Sequence, residues 1–182
     1  MFVTITLIIV PVHGSMQIGQ VTFNNAPYIA IVSPKVADTS INMVTTNLKH
    51  EFNKFGLSYY EKEVESSQSM ATTIQQISRL HFLIVVGHGS DQGLLIGKEV
   101  LEWNSISVML KDRDEKGFPT FFLSCNSLNS DAVDLSNYFG FSGAVDATAA
   151  WNILEYILHV SIVPRFNHCS LRNENSRSVV FS

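Results

Sequence analysis

Two uncharged apolar runs dominate the pattern of hydrophobic and polar positions along the chain. The first reads HFLIVVGHGS at residues 81–90, and the second reads FPTFFLSCNS at residues 118–127. Apolar runs of this length that end in small and polar residues are typical of strands buried on both faces of a parallel sheet. Residues 93–117, which lie between the runs, are long enough for a hairpin and a crossover helix. We therefore predict a parallel pair whose strands end on the same edge of the sheet.

The rest of the chain alternates between strand and helix patterns, which predicts an α/β domain with three layers. We expect a mainly parallel sheet of about six strands with helices on both faces. In chain order, the other predicted elements are a strand at 28–32, a helix at 41–56, an edge strand at 57–65, a helix at 66–80, a hairpin arm at 93–97, a helix at 101–117, a helix at 130–140, a strand at 141–145, a helix at 147–160 and an edge strand at 178–182.

The N-terminal segment MFVTITLIIVPVHGSM admits two interpretations. Residues 2–12 have the length of a signal-peptide core and are too short to span a bilayer, which takes about 20 apolar residues. No Lys or Arg precedes the run, and Thr4 and Thr6 alternate with apolar residues, as in a first strand. Residues 1–15 are therefore either a signal peptide or a first strand, and residues 16–182 form a single domain. The protein is secreted in the first case and cytoplasmic in the second.

Composition narrows the possible functions. The chain has 182 residues, of which 46% are hydrophobic and 15% charged, and a formal net charge of -4. A nucleic-acid-binding protein usually carries a basic patch, and the acidic net charge of this chain gives no indication of one, so we expect no nucleic-acid partner. The two cysteines, Cys125 and Cys169, are too few for a disulfide framework, although a secreted protein could pair them. The histidines lack zinc-ligand spacing and there is no phosphate-binding loop, so we expect neither a metal nor a cofactor.

Chemically reactive residues follow both buried runs. His88 lies between two glycines after the first run, and Cys125 follows Ser124 after the second. Each alone is unremarkable, because a single cysteine is most often a small buried apolar residue. At adjacent ends of parallel strands the two side chains would face each other, and an imidazole can accept the proton of a thiol that attacks a carbonyl. The amides of Gly89 and Cys125 could donate to the developing oxyanion, and a helix beginning near Ser130 would favour negative charge there.

The motifs VVGHGS at residues 85–90 and FLSCNS at residues 122–127 resemble those of the caspase-like cysteine peptidases of clan CD. That group includes caspases, metacaspases, legumains, gingipains, clostripain and separase, and the His-Gly-Ser triplet is most similar to legumains, metacaspases and gingipains. The resemblance implies a caspase-like fold and a cysteine endopeptidase with His88 as the catalytic histidine and Cys125 as the nucleophile. The Gln-Ala-Cys-Arg-Gly motif of caspases is missing, so specificity for aspartate is not implied.

Three further possibilities remain open from the sequence. In this superfamily, acidic residues at strand ends can bind a basic substrate side chain, which makes Asp38 and Asp146 candidate substrate-binding residues. Each could instead cap the helix that follows it. The segment Gly140–Ala144 approximates the nucleophile elbow of serine hydrolases, but its last glycine is replaced by Ala144. Finally, a non-catalytic caspase-like domain that acts through protein–protein interaction is the alternative to the enzyme.

Overall fold

The structure of the protein is a computed structural model that describes residues 29–77, 82–128 and 135–162. Strands and helices alternate along most of it. Their bounds are β1 Ile29–Pro34, α1 Thr39–Lys54, β2 Tyr59–Val64, α2 Ser67–Gln76, β3 Phe82–Val86, β4 Gly93–Ile96, β5 Glu99–Glu102, α3 Trp103–Glu115, β6 Thr120–Leu123, β7 Tyr138–Phe139, α4 Ala147–Ile157 and a π-helical segment Leu158–Ile162.

The main sheet is parallel throughout and has the strand order β2-β1-β3-β6-β7. This confirms the predicted α/β class with a mainly parallel sheet and flanking helices. The described residues contribute five strands to that sheet instead of about six. The two predicted buried strands, β3 and β6, are direct neighbours, with Val86 opposite Leu123 in the register.

The central strands are apolar at every position because both faces of the sheet are covered. In β3, Leu83 and Val85 belong to the core beneath α2 and α3, whereas Ile84 and Val86 belong to the core beneath α1 and α4. All five residues of β3 are buried. A strand that is buried on both faces is expected to be apolar at every position, whereas a half-exposed strand would alternate between apolar and polar residues.

The hairpin arm predicted after the first buried strand is present as β4 and β5. It is attached to the chain that follows β3 by two backbone hydrogen bonds. The Ser90 amide donates to the Gly93 carbonyl at 2.9 Å, and the Leu95 amide donates to the His88 carbonyl at 2.8 Å. The hairpin therefore stabilises the loop that carries His88.

The prediction for residues 135–145 was wrong. Instead of the end of a helix, Tyr138–Phe139 forms strand β7 beside β6, and residues 141–145 form a loop instead of a strand. Aromatic packing explains the difference, because the Tyr138 ring stacks on Phe122 with centroids 5.4 Å apart and its hydroxyl donates to the Ser127 carbonyl at 2.9 Å. Such contacts are tertiary and override local propensity.

Several predictions fall on residues outside the described ranges. They are the signal peptide or first strand at residues 1–15, the beginning of the helix near Ser130, the surroundings of Cys169 and the edge strand at residues 178–182. Among the described residues, no helix combines the length and the apolar character needed to cross a membrane.

Candidate functional site

His88 and Cys125 line one cavity at the carboxyl edge of the sheet. Because Val86 and Leu123 are paired in the register, His88 and Cys125 each lie two residues beyond the same level of neighbouring strands. The cavity has a volume of about 320 Å³ and is bounded by these two loops and by the N-terminal turns of α1 and α4. Open α/β sheets place their binding sites at this edge. We call it the Cys125 cavity.

Gly89 brings the two loops into direct contact. A Cβ atom added at Gly89 would lie 1.9 Å from the Cys125 carbonyl oxygen and 3.2 Å from its amide nitrogen, so only glycine fits there. Gly89 forms an isolated antiparallel bridge with Leu94, and the hydrogen bonds of that bridge are made by the residues on either side. In such a pair, the N–H of the central residue points away from the partner strand. The Gly89 amide is therefore not consumed by the hairpin.

The thiol of Cys125 is partly buried beneath the loop that precedes α4. Its Sγ lies 3.5 Å from the Val145 carbonyl oxygen and 3.4 Å from the Val145 amide nitrogen. The next residue, Asn126, adopts a left-handed conformation with φ of 54°. Its side chain donates to Asp91 at 2.8 Å, and its amide donates to the Gly143 carbonyl at 3.1 Å. The turn after β6 is thus held from both sides.

Asp38 contacts His88 beyond the carboxyl ends of the neighbouring strands β1 and β3. The carboxylate Oδ2 lies 3.0 Å from His88 Nε2, and the His88 side chain remains 51% exposed. Asp38 is also the N-cap of α1, where it accepts from the amides of Ser40 and Ile41 and from the Ser40 hydroxyl. Hydrogen bonds from Ser40 and from His88 hold the pKa of Asp38 far below its usual range. The carboxylate is therefore ionised at any physiological pH.

Asp146 performs the corresponding role for α4. Its Oδ1 accepts from the Ala149 amide at 2.9 Å, and the residue is exposed at the rim of the Cys125 cavity. Both aspartates thus have the capping role that was the alternative to substrate binding. The contact between Asp38 and His88 was not anticipated from the sequence. It could have been found from the strand order, because β1 and β3 are neighbours and their carboxyl-end loops meet.

Ser127 supports the turn from below. Its hydroxyl is fully buried and lies 2.9 Å from the Ser124 carbonyl and 3.2 Å from the Phe122 carbonyl. It also accepts from the Phe141 amide at 3.0 Å. This hydroxyl therefore connects the end of β6 with the chain that follows β7.

A possible metal-binding group lies elsewhere, between α1 and α4. Among the described residues, the donor atoms of Glu51, Glu155 and His159 lie within 4.8 Å of one another. Glu51 already bonds to His159 at 3.1 Å and to Lys54 at 3.3 Å. Burial raises the pKa of Glu51, but these two bonds outweigh it and leave the pKa lowered. Glu51 lies seven residues after Val44, the α1 residue of the cavity wall nearest to it, so the group is about 10 Å along α1 from the Cys125 cavity.

Comparisons with known proteins do not identify a family for this chain. No family model and no curated protein sequence matches the chain. Two of the solved structures to which the chain is similar illustrate the low level of the likeness. One is the lysine decarboxylase LdcF of Francisella novicida, with 11% identity and a TM-score of 0.41 over 72% of this chain and 17% of the decarboxylase. The other is a yeast Spc42 trimeric coiled-coil fusion, with 9% identity and a TM-score of 0.42 over 84% of this chain and 95% of the fusion.

Proposed function

We propose that the protein is a cysteine endopeptidase of the caspase-like type, with Cys125 as nucleophile and His88 as general acid and base. The observation that carries the proposal is the position of these two side chains on one cavity, at the ends of neighbouring parallel strands. A nucleophile and a base that converge on a concave site are the arrangement that acyl transfer requires. The motif resemblance at both residues supports the same reaction.

The reaction would proceed through a thioester. His88 takes the proton of the Cys125 thiol, and the sulfur forms a bond to the carbonyl carbon. The carbonyl electron pair moves to oxygen, where the Gly89 and Cys125 amides can donate to it. The tetrahedral intermediate collapses as the C–N bond breaks, and the amine leaves with a proton from His88. Water then attacks the thioester, gives its proton to His88 and releases the carboxylate product and the Cys125 thiolate.

Asp38 is proposed as the residue that positions His88. A carboxylate that accepts from Nε2–H fixes the tautomer of a neutral imidazole and leaves Nδ1 to accept a proton. The contact of 3.0 Å between Asp38 Oδ2 and His88 Nε2 also holds the ring in one orientation. In this role, the Asp38 carboxylate binds His88 and not a substrate side chain.

Covalent labelling tests the proposal. The purified full chain is treated with a peptidyl electrophile, such as a peptidyl vinyl sulfone, and the modified residue is identified by mass spectrometry. We expect adduct formation on Cys125 and none in Cys125→Ala. In His88→Ala, labelling should slow by about 100-fold or more, which is the usual loss when a positioned base is removed.

Cys169, the only other cysteine, is the internal comparison. Because an ordinary thiol with a pKa of about 8.5 is mostly protonated at pH 6, brief iodoacetamide treatment at pH 6 should modify Cys125 first. At pH 8.5, both should react, and reductant should be present to open any bridge between them. If Cys169 reacts first at pH 6, or if His88→Ala changes nothing, Cys125 is not activated. The non-catalytic interaction domain then becomes the better interpretation.

A further inference from the structure

The Cys125 cavity has a mainly aliphatic wall. Six of its lining residues come from both helices and from the two central strands and are apolar, namely Ile41, Val44, Val86, Leu123, Ala147 and Ala150. Five of them are buried, and the small side chains of the two alanines on α4 leave the space open. A volume of about 320 Å³ is at the small end of ligand pockets, which run from about 300 to 1,000 Å³.

The polar groups of the cavity are not placed to bind a charged substrate side chain. Asp146 is exposed at the rim, and one of its oxygens caps α4. Asp38 is not among the residues that line the cavity, and its carboxylate already accepts from Ser40, Ile41 and His88. A lysine or arginine head group placed in the cavity would lose its water without gaining a buried carboxylate, which is unfavourable.

One neutral polar group of the wall has no partner. The Ser124 hydroxyl is buried, with the residue only 2% exposed, and it makes no hydrogen bond within the part of the chain that the structure describes. A buried hydroxyl in this state is destabilising. Its oxygen is buried beneath the cavity surface, so Ser124 offers a substrate side chain no accessible polar group.

We propose that the Cys125 cavity binds an aliphatic substrate side chain of about leucine size at the residue preceding the cleaved bond. This inference rests on the proposed peptidase function and departs from the basic preference that Asp38 and Asp146 suggested. Ala150 is 4% exposed and lies on the wall that α4 contributes, so a larger side chain at this position would reduce the space for the substrate.

A panel of fluorogenic peptides that differ only in the residue before the cleaved bond tests the preference. We expect kcat/KM for Leu to exceed that for Ala, Lys and Asp by about 10-fold or more, since even one missing methylene in an apolar pocket costs 10-fold or more. Ala150→Leu should lower kcat/KM for the Leu peptide about 10-fold relative to that for the Ala peptide. The matched control is Ala149→Leu, one position away on α4 and not on the cavity wall, which should keep the wild-type order.

A binding measurement separates failure of this inference from failure of the proposed function. With Cys125→Ala full-length protein, N-acetyl-leucinamide should shift the methyl NMR signals of Val44 and Ala150, and N-acetyl-lysinamide should not. If the wild type neither labels nor hydrolyses but these shifts appear, the peptidase proposal fails and the aliphatic pocket stands. A preference for Lys, Arg or Asp, an unchanged Leu-to-Ala ratio in folded Ala150→Leu, or equal shifts with both amides would overturn the inference.

Discussion

The contact between Gly89 and the Cys125 backbone permits a quantitative test of the site. In Gly89→Ala, the new Cβ would begin 1.9 Å from the Cys125 carbonyl oxygen and 3.0 Å from the carbonyl carbon. Both are backbone atoms, so no side-chain rotation relieves the clash. A carbon–oxygen separation of about 3.3 Å is the shortest that weak contacts adopt, so the two loops must separate by roughly 1 Å or more.

Two consequences follow for the Gly89→Ala variant. Overpacking of this kind costs about 1–3 kcal/mol of folding free energy, and each kcal/mol lowers Tm by about 2–4 °C in a chain of this size. We therefore expect Tm to fall by about 2–12 °C. A displacement of about 1 Å between reacting groups can reduce the rate about 100-fold, so peptidyl-electrophile labelling of Cys125 should slow to that extent. Labelling by iodoacetamide, which requires no oriented carbonyl, should change far less.

Gly143→Ala is the matched control. Gly143 lies in the loop above Cys125, its backbone is not in the left-handed region, and an added Cβ would meet no atom within 4 Å. We expect stability within about 0.5 kcal/mol of the wild type and an unchanged labelling rate. If Gly89→Ala matches this control in Tm and in labelling rate, the two loops are not in contact and the assignment of the site fails.

Two further predictions concern the supports of the site. Ser127→Ala leaves the part-buried Phe141 amide without its acceptor and should cost about 1–3 kcal/mol in urea unfolding. Ser142→Ala, at an exposed position of the nearby loop, should cost little, and equal costs would contradict the structure. Because hydrogen bonds from Ser40 and His88 lower the pKa of Asp38 in the folded state, its charge stabilises the fold fully above about pH 5, and this contribution is lost as pH falls below about 4. The stability advantage of wild type over Asp38→Asn should therefore shrink between about pH 5 and pH 2 in urea titrations, and an advantage that grows on acidification would show the opposite linkage.

The parts of the structure that the sequence predicts well are those governed by continuous burial. The runs that became β3 and β6 have no charge inside them, and only a strand covered on both faces tolerates that pattern. Once they are parallel, the position of His88 and Cys125 on one edge follows from chain connectivity. The hairpin after His88 was also predictable, because Gly93 and Gly97 bound a short apolar run.

The parts that it does not predict depend on contacts between distant residues. Strand β7 is two residues long, and its place beside β6 is set by Tyr138 stacking on Phe122 and by Phe139 approaching Phe121 with ring centroids 5.9 Å apart. A two-residue strand has no periodicity to detect. The bond between Asp38 and His88 spans 50 positions of sequence, and only the neighbouring places of β1 and β3 reveal it.

The double attachment of Asp38 has a consequence for how this position can vary among related chains. As the N-cap of a helix, Asp is interchangeable with Asn or Ser at almost no loss, so capping alone would let all three appear there. In the mechanism that we propose, fixing the tautomer of His88 requires a group that can only accept a hydrogen bond, whereas Asn and Ser can also donate one. Relatives that keep both His88 and Cys125 should therefore retain Asp at position 38, and relatives that have lost either residue should drift freely among the helix-capping amino acids.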